Sequence, residues 1–161
     1  MHFRRVTSQD LPLLIEWATD ERYDEFFRRT PPVCEWANPH QVETAFPSHY
    51  MVLDEGKEIG LVGLNFDDPL AKSLRFGMLV IAEQRHRLKD IKDYIENLCF
   101  NQLSANRLSC VVLTHRNKLI ERLCSYGLEV EGLLKASTLY RGKLQDECVL
   151  AVTREQWEKL K

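Results

Sequence analysis

The sequence contains no apolar run near the roughly 18 residues that span a bilayer, and its start, Met1-His2-Phe3-Arg4-Arg5-Val6, lacks the hydrophobic segment of a secretory signal. Neither a membrane span nor export is expected, and the cytoplasm is the expected compartment. It also lacks any C-x-x-C pair: five cysteines (Cys34, Cys99, Cys110, Cys124, Cys148) make an odd number, several among apolar neighbours, and read as reduced thiols. Histidines and acids fall at neither H-x-x-x-H nor H-E-x-x-H spacing, so no metal site is expected. A strong charge of either sign is missing too. The formal net charge of −2 gives no general attraction to nucleic acid or to an anionic membrane. No internal repeat, low-complexity tract or second domain is visible.

What is present is ordinary globular composition, 44% hydrophobic and 29% charged, over 161 residues, which suits one domain covering residues 1–161. His2 to Val6 reads as a strand. Thr7 or Ser8 then caps a helix with Leu11, Leu14, Ile15 and Ala18 at helical spacing. From Glu21 to Pro47 the pattern is irregular, broken at Pro31-Pro32 and restarted at Asn38-Pro39. His49 to Leu53 and Glu58 to Asn65 form a hairpin about Asp54-Glu55-Gly56-Lys57, and after Asp67-Asp68-Pro69 a strand runs from Leu74 to Ile81.

Leu88, Ile91, Ile95 and Leu98 repeat at three- and four-residue steps and predict a helix from Leu88 to Leu103. Arg107 to Thr114 carries Leu108, Cys110, Val111, Val112 and Leu113, an apolar run of the kind found in a strand covered on both faces, and the strand–helix–strand succession predicts parallel neighbours that splay at their C-terminal ends. Lys118 to Tyr126 is a helix closed by Gly127. A hairpin follows, Glu129 to Tyr140 and Leu144 to Val152 about Arg141-Gly142-Lys143. Thr153-Arg154-Glu155-Gln156 is a capping box for a last helix through Trp157. The predicted class is α/β, a mixed sheet with helices on its faces.

Several stretches carry a resemblance in order: Asn106-Arg107-Leu108 before a strand, Asn117 opening a helix, the passage Tyr126-Gly127-Leu128-Glu129-Val130-Glu131-Gly132-Leu133-Leu134, and Arg141-Gly142-Lys143-Leu144-Gln145-Asp146-Glu147. The chain resembles the GNAT superfamily of acyl-CoA N-acyltransferases and, within it, the ribosomal-protein alanine N-acetyltransferase branch. The resemblance implies the GNAT fold, acetyl-CoA as cofactor, and acetyl transfer to a primary amine of a small molecule or a protein N-terminus. It places the cofactor at the strand end Leu79-Val80-Ile81, at the loop Gln84-Arg85-His86-Arg87-Leu88-Lys89, and at Asn117.

In the family that loop is Gln/Arg-x-x-Gly-x-Gly/Ala, whose backbone N–H groups cradle a pyrophosphate at a helix start. Here Gln84 matches, while Arg87 and Lys89 stand in place of both small residues. Two readings follow. Either Arg85, His86, Arg87 and Lys89 hold the pyrophosphate by charge, or the loop is a solvated turn and the chain is an inactive GNAT-like domain that binds a protein partner. A third reading is a domain that keeps CoA as a ligand without acyl transfer.

For catalysis, the family's tyrosine acid falls, by its usual offset from Asn117, on Cys124, with Tyr126 two residues later; both also read as packing residues. Tyr23, Asp24, Glu25 and Trp36, in the irregular segment, are the candidate substrate wall, against a plain reading as solvated surface.

Overall fold

A computed structural model of the chain describes residues 1–30 and 32–161. Pro31, and with it half of the Pro31-Pro32 break, lies outside the described residues. The strands are β1 (His2–Arg5), β2 (His49–Asp54), β3 (Lys57–Asp68), β4 (Ser73–Val80), β5 (Arg107–Leu113), β6 (Glu129–Tyr140) and β7 (Lys143–Thr153). The helices are α1 (Leu11–Thr19), α2 (Asp24–Phe27), α3 (Val33–Trp36), α4 (Val42–Ala45), α5 (Leu88–Asn97), α6 (Asn117–Ser125) and α7 (Arg154–Lys159). The strands form one mixed sheet in the order β1-β2-β3-β4-β5-β7-β6. The chain groups into two compact units, Met1–Leu64 with Gly77–Leu88, and Asn65–Phe76 with Lys89–Lys161.

In the first unit β1 pairs with β2 and β2 with β3, all antiparallel. The β2–β3 turn places Glu55 at φ 51° and Gly56 at φ 78°, the double left-handed conformation of a two-residue hairpin. Thr7, one of the two expected caps, stands at the N-cap of a short 3-10 turn, Ser8–Asp10, that runs on into α1. Buried Asp10 accepts the Thr7 N–H at 2.8 Å and both guanidinium arms of Arg4 at 2.8 and 2.7 Å. Behind α1 the core gathers Leu14, Trp17, Phe27, Trp36, Phe46 and Met51.

In the second unit β4 and β5 are parallel, with Ser73 opposite Arg107, Leu74 opposite Leu108 and Arg75 opposite Ser109, as the crossover pattern predicts. β7 lies antiparallel to both β5 and β6. The predicted Leu88–Leu103 helix divides: α5 ends at Asn97 and a π turn covers Leu98–Gln102, in which Leu103 N–H reaches back to the Leu98 carbonyl at 3.1 Å. At the end of α6, Gly127 (φ 96°) donates to the Cys124 carbonyl and Leu128 to that of Leu123, the paired bonds of a glycine-terminated helix. Thr153 and Gln156 form the expected capping box at α7. Phe100 and Trp157 pack at 4.9 Å.

Candidate active site

The strand end leading into the loop is held from one side. Ile81 N–H donates to the Ile59 carbonyl at 3.0 Å, and the Leu79 carbonyl approaches Gly60 so closely that a Cβ there would lie 2.3 Å from its oxygen. Hydrogen-bonding groups alternate along a strand, so the N–H and carbonyl of Val80 face away from β3. The chain then winds into a 3-10 segment, Ala82–Arg87, that continues directly into α5. Without glycine, nothing favours an open left-handed loop, and these residues form short helical turns on either side of a kink at Gln84 (φ −110°, ψ 15°). Ala82 N–H donates to the Tyr23 hydroxyl at 2.9 Å, Gln84 N–H to the Ile81 carbonyl at 2.9 Å, and Leu88 N–H to the Arg85 carbonyl. Three backbone donors of this stretch, at Ala82, Gln84 and Leu88, are thus engaged within the protein.

The four basic side chains separate into two pairs. Arg87 lies 2.9 Å from Asp54 at the β2–β3 turn, and Asp54 also stands 3.5 Å from the Met1 amino group. Lys89 reaches Asp93 one turn along α5 at 2.5 Å, and that hydrogen bond raises its pKa. Arg85 and His86 are exposed and make no ion pair or hydrogen bond among the described residues. The two positions where the family carries small residues therefore hold cations that each have a carboxylate partner within the protein. The exposed basic side chains of the loop without such a partner are Arg85 and His86, of which the Arg85 guanidinium carries the fixed charge.

Asn117 opens α6 with an exposed side chain, and Cys124 is half-buried on the same helix. Tyr126 caps α6, half-buried, and its carbonyl accepts from Lys92 Nζ at 2.6 Å. Lys92 is itself buried and paired with buried Glu96 at 2.9 Å. Burial raises the pKa of Glu96, with the bond to Lys92 opposing the shift. All five cysteines are free, and burial pushes the thiols of Cys99 and Cys110 up to about 12. No group of three or more side chains able to hold a metal occurs among the described residues, and no helix among them is long and apolar enough to cross a membrane.

Of the predicted acceptor wall, Asp24 and Glu25 are half-buried in the first turn of α2, while Tyr23 is buried and acts through its hydroxyl on the loop backbone. Trp36 is 1% exposed and stacks edge-on against Phe46 at 5.0 Å. It is core, not wall, because an indole flanked by charge in sequence still buries when its short helix turns inward. A cleft of about 230 Å³ beside Tyr23 is lined by Trp17, Asp20, Arg22, Glu58 and Glu83. Its acids are partly neutralised from within, Arg22 lying 2.7 Å from Asp20 and 3.5 Å from Glu83.

Sequence reasoning passed over His49, a lone histidine at a strand start with no motif around it. It stands between Phe26 and Phe46, with ring centroids at 6.3 and 5.1 Å, and burial lowers its pKa to about 4.

No family model and no curated protein matches the sequence. Solved structures match the fold. A chimeric form of the spermidine N-acetyltransferase of Vibrio cholerae superposes with a TM-score of 0.82 at 15% identity, covering 99% of this chain and 99% of that one. The dodecameric form of the Vibrio cholerae enzyme gives 0.78 at 16% identity over 97% of this chain and 95% of that one. Mutant forms of the Vibrio cholerae spermidine/spermine N-acetyltransferase give 0.79 at 16% identity over 99% and 96%. The chain therefore has the GNAT fold, a mixed α/β arrangement about a seven-stranded sheet. The amines named in these neighbours are spermidine and spermine. None names a ribosomal protein or a protein N-terminus, and that finer expectation gains no support from them.

Proposed function

We propose that residues 1–161 act as one acetyl-CoA-dependent N-acetyltransferase whose acceptor is the primary amine of a small aliphatic polyamine. The observation that carries this reading is the near end-to-end match in fold to spermidine N-acetyltransferases. The loop residues fit the cofactor through side chains and not through a backbone cradle. Arg85 and His86 stand exposed just before a ten-residue helix, where a cation and the positive end of the helix dipole both favour phosphate. Val80, facing away from β3, offers one N–H and one carbonyl to an amide of the cofactor arm. Acetyl-CoA, when bound, supplies an activated thioester. Tyr126, fixed at the end of α6 by Lys92, is the candidate proton donor to the departing thiolate, with Cys124 beside it on the same helix.

A second reading, a GNAT-like domain without turnover that binds a protein partner, is favoured by one specific observation. Arg87 and Lys89 are already paired, and the N–H groups of Ala82, Gln84 and Leu88 already donate. Calorimetric titration with acetyl-CoA, followed by a thiol-release assay with spermidine, separates the two. Binding with spermidine-dependent thiol release is expected. No binding at millimolar acetyl-CoA would overturn the enzymatic reading and leave the second.

A further inference from the structure

His49 is a polar group in an apolar enclosure. Its Nδ1 is buried and has no hydrogen-bond partner among the described residues. The ring stands edge to face with Phe26 and Phe46. Below it is Gly63, the residue directly opposite in the β2–β3 ladder, and a Cβ on Gly63 would come within 2.9 Å of His49 Nε2. Beside it the ring of Phe26 lies over Gly77 of β4, where a Cβ would sit 3.7 Å from Phe26 Cε2. Two glycines thus leave room for two rings on one face of the first unit. His49 and Phe26 are only half-buried and Gly77 is exposed, so the enclosure opens to solvent on that side.

A buried ring nitrogen without a partner carries a desolvation cost that a phenylalanine in the same space would avoid. Such a group calls for an explanation beyond packing. The only cause of its depressed pKa is burial, so the imidazole is neutral at pH 7. A neutral imidazole presents one N–H and one lone pair, and the half-exposed ring of Phe26 beside it can attract a cation, while Phe46 closes the buried side. Together they match a primary ammonium or amine, which brings several N–H donors and a positive charge.

We propose that His49 is an acceptor-binding residue: its ring lone pair takes an N–H of the substrate amine, which rests against the half-exposed ring of Phe26. This rests on the amine acetyltransferase reading and adds to it a residue outside the predicted wall. Phe26 and His49 thereby take the place of Trp36.

The test uses the intact chain with two independent readouts. In steady-state acetylation of spermidine, His49→Phe should raise KM for spermidine about tenfold while KM for acetyl-CoA stays within about twofold, as loss of one charge-assisted hydrogen bond predicts. His49→Gln, whose amide oxygen still accepts, should recover part of the loss. An unchanged KM for spermidine, or an equal rise for both ligands, would overturn the proposal. The second readout is the ring-nitrogen NMR spectrum of histidine-labelled wild type without acetyl-CoA, His49 being identified by its disappearance in His49→Gln. Spermidine should shift the His49 lone-pair nitrogen, and sodium chloride at equal ionic strength should not. Should the wild type transfer no acetyl group, the enzymatic reading fails, and this spectrum alone decides the binding site: a shift upholds it and an unmoved signal ends it.

Discussion

Replacing Lys92 by methionine should be among the most damaging single changes in the second unit. The ammonium sits 2.9 Å from Glu96 and donates to the Tyr126 carbonyl at 2.6 Å and to Asp93 at 3.2 Å. Lys92→Met leaves the buried Glu96 carboxylate without its cation and the Tyr126 carbonyl without its donor, a loss of about 3–5 kcal/mol for a broken buried pair. For a chain of this length about 3 kcal/mol corresponds to roughly 6–12 °C in Tm. The pH dependence has a definite sign. The folded pKa of Glu96 already lies above its ordinary value of 4.5 through burial, and removing Lys92 raises it further. A carboxyl whose folded pKa is raised destabilises increasingly as pH climbs above the unfolded value, so the loss is least near pH 4.5 and grows towards neutrality. Lys92→Met with Glu96→Leu removes both charges and should regain most of the stability, because a buried pair is often replaceable by apolar groups. Urea unfolding of wild type, single and double variants at pH 5 and 7.5 measures this, with the slope m confirming comparable unfolded states. A single variant losing less than about 1 kcal/mol at pH 7.5, or a double variant as unstable as the single, would refute the reasoning.

At low salt Arg85→Ala should weaken acetyl-CoA binding about tenfold, the worth of one charge-assisted contact, whereas Arg87→Ala should change it little because Asp54 already holds that guanidinium. Titration calorimetry reads both, and the reverse ranking would show that the Asp54 pair opens on binding. His49 predicts a separate acid instability: its folded pKa, lowered to about 4, lies below the ordinary 6.5, so its contribution is complete above pH 6.5 and is lost as pH falls towards 4. The change approaches about 3 kcal/mol in urea titrations at the two ends of that range, and His49→Phe should remove this component.

The long elements were legible because each repeats its own signal. Cys110 to Leu113 is apolar without interruption, Ile91 and Ile95 mark the buried stripe of α5, and Gly127 and Thr153 punctuate helix ends by local backbone chemistry that survives in any fold. The short helices α2, α3 and α4 span four residues each, about one turn, too few for a period to show. The π turn at Leu98–Gln102 was hidden for another reason: one extra residue in the turn leaves the flanking apolar spacing almost unchanged. At the site, local sequence reported which charges were present but not which were already spent. Lys89 with Asp93 is a visible four-residue pair; Arg87 with Asp54 joins residues 33 positions apart and needs the β2–β3 turn to bring them together.

That distinction changes what the altered loop means. In a glycine-rich loop the phosphate is held by N–H groups that have no other partner, so binding and loop conformation are the same event. In this chain part of the loop is already engaged before any ligand arrives: Tyr23 accepts from Ala82, Asp54 holds Arg87 and Asp93 holds Lys89. With those side chains paired, the exposed side chains that the loop still offers to an anion are Arg85 and His86. Side-chain charge attracts at longer range than a backbone cradle but fixes geometry less well, and it is screened by salt. If the chain transfers acetyl groups, the thioester must then be oriented mainly by the strand end at Val80 and by the acceptor held at His49. If it does not, the same internally paired loop supplies the physical reason.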